Sequence, residues 1–326
     1  MRITTYLTLI IISLFATSCE YDYDVDKHFG TDFTPQVVLN SIINPDSTIK
    51  ANIFWTKKNS DTSEFKRVAY TDVKLYKNGA LILETESIDG KLNTNVYPEA
   101  GATYKMELIV PDYGVVTAKT YIPQPPSSSL KLTKIVEGYS HYNTYCHMEI
   151  ANLTLNEKRR SVIIKSNGIY EHGVREDSRN YYIDNALCDQ FNATNDPFDV
   201  AERGSNISHE EYLRVPYANI SAALPLNFSI AGFGTIYTNI IIGEDEWGYP
   251  LYEYTEYKCT DIKVNVISPS DEYDKYLKSA YQQDAFDFDM PIFNEPIPVH
   301  SNVENGLGIF AGYTANTLNI ELDTEE

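Results

Sequence analysis

The stretch "GEDEWGYP", residues 243–250, combines side chains that could bind a ligand. The candidates are three carboxylates and two aromatic rings: Glu244, Asp245, Glu246, Trp247 and Tyr249. The flanking segments "TNIIIG" and "LYEYTEY" have the composition of strands, which predicts that these residues form a loop tip. An exposed tryptophan beside carboxylates could stack on a sugar or enclose a cation. The alternative is a hairpin turn whose charges only keep the strand edge soluble.

Patterns typical of catalysis are missing from the sequence. It contains no G-x-S-x-G nucleophile elbow and no H-E-x-x-H metal motif. Gly306, Gly308 and Gly312 lack the G-x-G-x-x-G spacing of a dinucleotide loop, so we expect them to serve a tight turn and close backbone approach, with Leu307, Ile309 and Phe310 buried beside them. We therefore predict no catalytic residue, no metal and no cofactor.

The N-terminus has the features of a lipoprotein signal peptide. Arg2 supplies a positive charge, and residues 6–15 form an apolar segment too short to span a bilayer. Small residues at 16–18 precede Cys19, as in a bacterial lipobox. We predict that residues 1–18 are a signal peptide and that Cys19 is lipidated. An ordinary secretory signal with a chance cysteine is the alternative.

An acidic stretch follows the cysteine. Glu20, Asp22, Asp24 and Asp26 alternate with other residues, a pattern that opposes folding and predicts a tether over residues 19–32. The same pattern is similar to the surface-export signal of lipoproteins in the Bacteroidetes. The formal net charge of −20 argues against nucleic acid, and against an anionic bilayer surface, as a partner.

Three cysteines remain after Cys19: Cys146, Cys188 and Cys259. An odd number allows at most one internal disulfide. Cys146 alternates with apolar residues and is predicted to be a buried thiol, whereas Cys259 alternates with Asp261 and Lys263 on a polar face. If one pair forms, we favour Cys188–Cys259.

Alternating apolar residues predict a compact β-unit over residues 33–123. Asn78-Gly79 is the strongest hairpin signal, and Asp89-Gly90 marks a second tight turn. Seven short strands in this length are typical of an immunoglobulin or fibronectin type sandwich, in which Tyr104 would be the corner tyrosine. A linker rich in proline and serine is predicted at residues 124–129.

Residues 130–326 are predicted to form a larger β-rich domain with at least one amphipathic helix. Ser268 is expected to be the N-cap of that helix, with Pro269 in its first turn. An apolar stripe follows with helical spacing: Tyr273, Tyr276, Leu277, Ala280 and Tyr281. Asp271 and Asp274 are placed on the other faces. The predicted fold class is therefore mostly β.

Three segments resemble a known family: "VVLNSIINPDSTI", "SPSDEYDKYLKSAYQQ" and "FNEPIPVHSNVENGLGIFAGYT". Together they are similar to Bacteroidetes lipoproteins carrying domain of unknown function 4249. Members of this family tend to be encoded beside TonB-dependent outer-membrane transporters. The resemblance implies a lipid-anchored accessory protein of the outer membrane, and it supplies no catalytic residues.

These inferences lead to one functional expectation and two alternatives. The first is a non-catalytic accessory lipoprotein, exposed at the cell surface, that helps a TonB-dependent transporter in substrate capture or gating. Its ligand would be an unknown small molecule, glycan or peptide. One alternative is a surface adhesin or matrix component that binds a polymer. The other alternative is an enzyme with an unfamiliar site.

Overall fold

The computed structural model describes residues 33–58, 61–137, 144–154, 161–170, 173–175, 180–183, 213–216, 226–231, 236–245, 247, 249–257, 259–287 and 298–322. These ranges contain nineteen strands and one helix. The predicted mostly-β fold class, with a sandwich followed by a larger β-rich part and a helix, is confirmed.

Seven strands form the predicted sandwich: β1 (Val37–Ile43), β2 (Lys50–Trp55), β3 (Tyr70–Lys77), β4 (Ala80–Ile88), β5 (Lys91–Asn93), β6 (Thr103–Val110) and β7 (Gly114–Tyr121). The strands follow one another in a single curled sheet, in which β1-β2-β5 form one layer and β4-β3-β6-β7 form the other around a shared core. The layers are linked by a single residue pair, Ile88 with Lys91, across the Asp89-Gly90 turn. Both residues of that turn have positive φ, as a type I′ turn requires.

Inward-facing side chains of both layers make one hydrophobic core. The predicted alternation is confirmed in β2, where Ala51 and Ile53 are buried. Tyr104 is fully buried, and its hydroxyl accepts a hydrogen bond of 2.9 Å from the backbone N–H of Glu99. This contact to a residue shortly upstream is the corner-tyrosine arrangement that the sequence predicted.

The closing motif, residues 301–313, covers both layers of the sandwich. Its first strand, β18 (Val303–Glu304), pairs with β7 at the edge of one layer. Its second strand, β19 (Leu307–Glu321), starts by pairing in parallel with β1 at the edge of the other layer. The last segment of the chain therefore protects two sheet edges that would otherwise expose unpaired backbone groups.

Beyond the sandwich, β19 changes partner. From Tyr313 onward it pairs in antiparallel fashion with β17 (Cys259–Pro269). The predicted division into domains stays a prediction, but residues 303–312, which it assigns to the second part, hydrogen-bond into the sheets of the first. One strand thus joins the two parts into a continuous sheet.

Glycines permit the close approach of the closing motif to β1. Gly308 has φ of +108°, and a methyl carbon added there would lie 2.2 Å from the carbonyl oxygen of Leu39. Ile309 and Phe310 are buried as predicted, whereas Leu307 is exposed. The predicted structural role of these glycines is confirmed, and the expected burial of Leu307 is wrong because its side chain faces away from the core.

Asn302 fixes the geometry of the closing motif. Its amide oxygen accepts from the backbone N–H of Phe310 at 2.9 Å, and its amide nitrogen donates to the Phe310 carbonyl at 2.7 Å. The same nitrogen donates to the carbonyl of Lys119 at 2.9 Å. One side chain therefore acts as a strand neighbour for β19 and ties it to β7.

The described strands of the second part are β8 (Ser127–Glu137), β9 (Thr144–Thr154), β10 (Ser161–Tyr170), β11 (Gly173–Arg175), β12 (Asn180–Ile183), β13 (Leu213–Pro216), β14 (Leu226–Ala231), β15 (Ile236–Glu244), β16 (Pro250–Tyr257) and β17. β11, β10 and β17 extend the large sheet, with β13 beside β10, and β12-β14-β9-β8 form a second sheet. β8 already begins at Ser127, so the last three residues of the predicted linker are strand.

The helix α1 (Asp271–Asp287) starts two residues later than an N-cap at Ser268 would place it. Ser268 and Pro269 belong to the ladder between β17 and β19. Ser270 is the N-cap, because its hydroxyl accepts from the Tyr273 backbone N–H at 3.2 Å. The same hydroxyl accepts from the Gly312 N–H at 3.1 Å, which joins the helix start to the closing motif.

A buried ion pair holds α1 against the sheet. Asp274, which the sequence places on a polar face, is only 2% exposed. Arg214 binds both of its carboxylate oxygens, at 2.7 and 3.0 Å, and the Ser161 hydroxyl donates to one of them. The prediction failed here because these partners lie far away in the sequence, on β13 and β10. A buried charge with such partners is stabilised in place.

We expect Gly308→Ala to lower the free energy of unfolding by about 3 kcal/mol or more, because the positive φ is strained and the backbone of β1 must move. Gly79→Ala is the matched control, since Gly79 has φ of +86° but nothing within 4 Å of an added methyl carbon. That variant should cost about 1–2 kcal/mol. Urea unfolding measures both, and equal losses would refute the close-approach argument.

Candidate functional site

The predicted ligand-binding residues lie at the end of a hairpin. β15 and β16 pair in antiparallel fashion from Ile236 with Tyr257 to Glu244 with Pro250. They form a two-stranded sheet of their own in the described part of the chain. The predicted placement of the candidate residues at a loop tip is confirmed by this register.

Asp245 shapes the tip through its carboxylate. Its Oδ1 accepts hydrogen bonds from the backbone N–H groups of Trp247 at 2.8 Å and Tyr249 at 2.9 Å. Its own N–H donates to the carbonyl of Tyr249 at 2.8 Å. These three contacts close the turn, which is the usual role of an aspartate that competes for local backbone donors. Asp245 is therefore a positioning residue for the two aromatic rings.

The two rings are presented to solvent. Trp247 is 78% exposed and Tyr249 is 69% exposed. Glu244 is also exposed beside them. Glu246, the remaining predicted candidate, lies outside the described residues. The structure thus brings Glu244, Asp245 and the two rings together at one end of the hairpin.

Sequence reasoning missed two apolar neighbours of the rings. Ile242 is 60% exposed and Leu251 is 46% exposed. A register shift between Ile241 and Gly243 leaves Ile242 without a partner across the hairpin. The available signal was the run of three isoleucines at 240–242, because a strand with alternating faces cannot send three consecutive side chains to one side. We call Ile242, Trp247, Tyr249 and Leu251 the apolar tip.

The apolar tip has the chemistry of a binding surface. Large apolar side chains clustered on a surface mark interaction sites more often than isolated ones do. The ring faces can pack on a sugar ring or on an apolar side chain of a protein, and the carboxylate of Glu244 can accept hydrogen bonds at the rim. A two-stranded hairpin is marginally stable alone in water, so a bound partner would also stabilise it.

The other described polar groups were compared with the requirements of a metal site. Within the described ranges, no three His, Cys, Asp or Glu residues are grouped so that they could hold a metal ion. His300 Nε2 and Glu272 Oε2 are in contact at 2.6 Å. The hydroxyl of Ser279 accepts from the backbone N–H of His300 and not from its ring.

The cysteines are only partly described. Cys259 is buried, although the sequence placed it on a polar face, and its thiol donates to the Asp261 carbonyl at 3.3 Å. Cys188 and the predicted lipidation site Cys19 lie outside the described residues. The Cys188–Cys259 pairing and the lipidation therefore stay predictions. No helix in the described part of the chain is long and apolar enough to cross a membrane.

We expect Asp245→Ala to speed hydrogen exchange at the amides of Trp247 and Tyr249, because both lose their acceptor. Asp245→Asn keeps an acceptor oxygen and serves as the matched control. Neither change should move the midpoint of urea unfolding, since the tip lies outside the core. Unchanged exchange in Asp245→Ala, measured by NMR or mass spectrometry, would show that the carboxylate does not organise the tip.

Comparison with known proteins agrees with the resemblance seen in the sequence. No curated protein matches the chain. A family model described as Domain of unknown function (DUF4249) matches residues 19–319. This span covers the acidic stretch, the sandwich, the helix and the closing motif. The chain therefore belongs to the family of domain of unknown function 4249.

Proposed function

We propose that this protein is a lipid-anchored accessory protein of the outer membrane that helps a TonB-dependent transporter to capture its substrate or to gate its opening. Family membership supports this proposal, because members of the family tend to be encoded beside such transporters. The family itself carries no assigned activity. The proposed role is accordingly one of binding.

The observation that carries the proposal is the exposed apolar tip. The chain has a formal net charge of −20, and its surface is therefore expected to be strongly hydrated. Against that background, Trp247, Tyr249, Ile242 and Leu251 are all large apolar side chains exposed at one end of a hairpin. Trp and Tyr are enriched among residues that dominate binding energy at protein interfaces. A partner that buries this tip would remove the cost of exposing it.

The position of the sandwich along the chain fits an anchored protein. β1 begins at Val37, 18 residues after Cys19. An extended chain of this length spans at most about 65 Å. A protein tethered at Cys19 would therefore stay close to the membrane surface and to any transporter embedded there. Two lipid chains or more on that cysteine would make the attachment stable.

We expect Trp247→Ala to weaken the recovery of a TonB-dependent transporter when the protein is isolated from outer membranes in mild detergent. The loss should reach about tenfold, because truncation of a central interface aromatic typically costs at least about 1.4 kcal/mol. Tyr97→Ala is the matched control, since Tyr97 is an exposed aromatic on the sandwich, outside the tip.

Three other results would each change the conclusion. If the unaltered protein recovers no transporter, the proposal that a transporter is its partner is wrong. Equal recovery by the unaltered protein and Trp247→Ala would leave the partner but exclude the apolar tip as its binding site. Recovery of a polysaccharide in place of a transporter would favour the adhesin alternative.

A further inference from the structure

The strand β4 has one open edge. In the described part of the chain, residues 80–87 have no strand partner except β3, and β5 pairs with β4 only at Ile88. The closing motif covers the edges of β1 and β7, whereas no described strand covers this side of β4. The backbone N–H and C=O groups on the open side are therefore available to a further strand.

The open edge is long enough to hold a short peptide. The register of β4 with β3 is regular from Leu83 to Ile88, a run that spans about 20 Å. The one irregularity of β4 leaves Ile82 without a partner in β3, ahead of this run. A bulge disturbs a ladder only locally, so residues 83–88 keep the geometry of a regular edge.

The side chains along this edge are apolar at both ends and acidic in the middle. Leu81 and Ile82 are exposed at one end, and Ile88 is 67% exposed at the other. Glu84 and Glu86 lie between them, are exposed, and share one face of the strand with Ile88. An exposed edge with apolar side chains is a template for pairing with another chain.

The two glutamates leave the edge negatively charged. Lys74 Nζ lies 3.2 Å from Glu84 Oε1, but the Glu84 side chain is 62% exposed, so this surface ion pair is weak. Glu86 lies directly opposite Asp72, and the uncharged hydroxyl of Tyr70 is within hydrogen-bond reach of both carboxylates. No lysine or arginine of the described residues forms an ion pair with Glu86. This face of β3 and β4 therefore carries three carboxylates against one ammonium group.

These charges disfavour a second copy of the chain as the occupant of the edge. Antiparallel pairing of β4 with its copy about Thr85 would place Glu84 opposite the Glu86 of that copy. Moving the centre of pairing by one residue in either direction would place a glutamate opposite itself. Because like charges directly opposite destabilise a strand pair, the edge selects against itself and favours a basic partner.

We propose that the open edge of β4 binds an extended segment of a partner protein as an added strand. This segment carries lysine or arginine at two alternate positions, opposite Glu84 and Glu86, and an apolar residue opposite Ile88. Backbone hydrogen bonds to the edge supply affinity, and the alternate side chains supply specificity. The edge shares no residue with the apolar tip, so this interaction is separate from the proposed transporter contact.

The test is the binding of labelled peptides with blocked ends to the full chain in detergent, measured by fluorescence anisotropy. The probe is TVTKTKTVT, which has two lysines at alternate positions between valines and reads the same in both directions. TVTETETVT reverses its charge. TVPKPKPVT keeps the charge but cannot form a ladder, because proline has no N–H to donate.

We expect TVTKTKTVT to bind at least about tenfold more tightly than either of the other peptides. It should also slow hydrogen exchange at amides of β4 and leave β6 unchanged, since β6 already has a strand on both sides.

Variants locate the binding at the edge. Glu86→Lys should weaken TVTKTKTVT about fivefold and strengthen TVTETETVT. The unfolding temperature should not fall, because the new lysine lies opposite Asp72. Glu64→Lys is the matched control, since Glu64 is an exposed glutamate of the sandwich outside β4, and it should bind the peptides as the unaltered protein does.

Several outcomes would overturn the proposal. One is no binding of TVTKTKTVT at millimolar concentration. Equal binding of TVPKPKPVT would show attraction to the net charge alone, and an unchanged preference in Glu86→Lys or unchanged exchange in β4 would place the peptide elsewhere. None of these results bears on transporter recovery through the apolar tip, so failure of this proposal is distinguishable from failure of the proposed function.

Discussion

The structure depends on the two different partners of its last strand. The first half of β19 pairs in parallel with β1, and its second half pairs in antiparallel fashion with β17. A parallel partner from the other end of the chain closes a loop of more than 260 residues, since Val38 pairs with Leu307. Closing so long a loop costs conformational entropy. Buried side chains and glycines that let the two backbones approach stabilise the contact against this cost.

This closure also gathers several elements around β7. The closing motif brings Asn302 and Glu304 to β7, and the Ser270–Gly312 contacts bring the start of α1 to the same place. A polar cleft of about 540 Å³ lies where these elements meet. β17, which β19 holds, is preceded along the chain by the hairpin with the apolar tip. The tip is left outside the shared sheet, where its aromatic rings are available to a partner.

Local patterns in the sequence predicted local structure well. The turn at Asn78-Gly79, the alternation in β2 and the corner role of Tyr104 depend on neighbours within a few residues, and all three are confirmed. The loop tip at Trp247 was found for the same reason. The sequence also identified the closing motif as specific to a family, without indicating which strands it would pair with.

The failures involve contacts between distant residues. The helical spacing of Asp274 predicts a position on the solvent-facing side of α1. Its burial is favourable because Arg214 and Ser161, on two different strands, bind its carboxylate. The N-cap is Ser270 and not the predicted Ser268, because Pro269 pairs with β19 in the sheet. The direct pairing of Lys105 with Lys119 could not be predicted without the register of β6 and β7.

Pulse-labelling hydrogen exchange through a urea titration tests the central claim, that one strand joins both parts into a cooperative unit. Peptides from β3 and β6 report on the sandwich, and peptides from β10 and β17 report on the second part. Because each part loses a strand when the other unfolds, the account predicts coincident midpoints for all four strands. Loss of protection in β10 and β17 at lower urea, with the sandwich still protected, would contradict it.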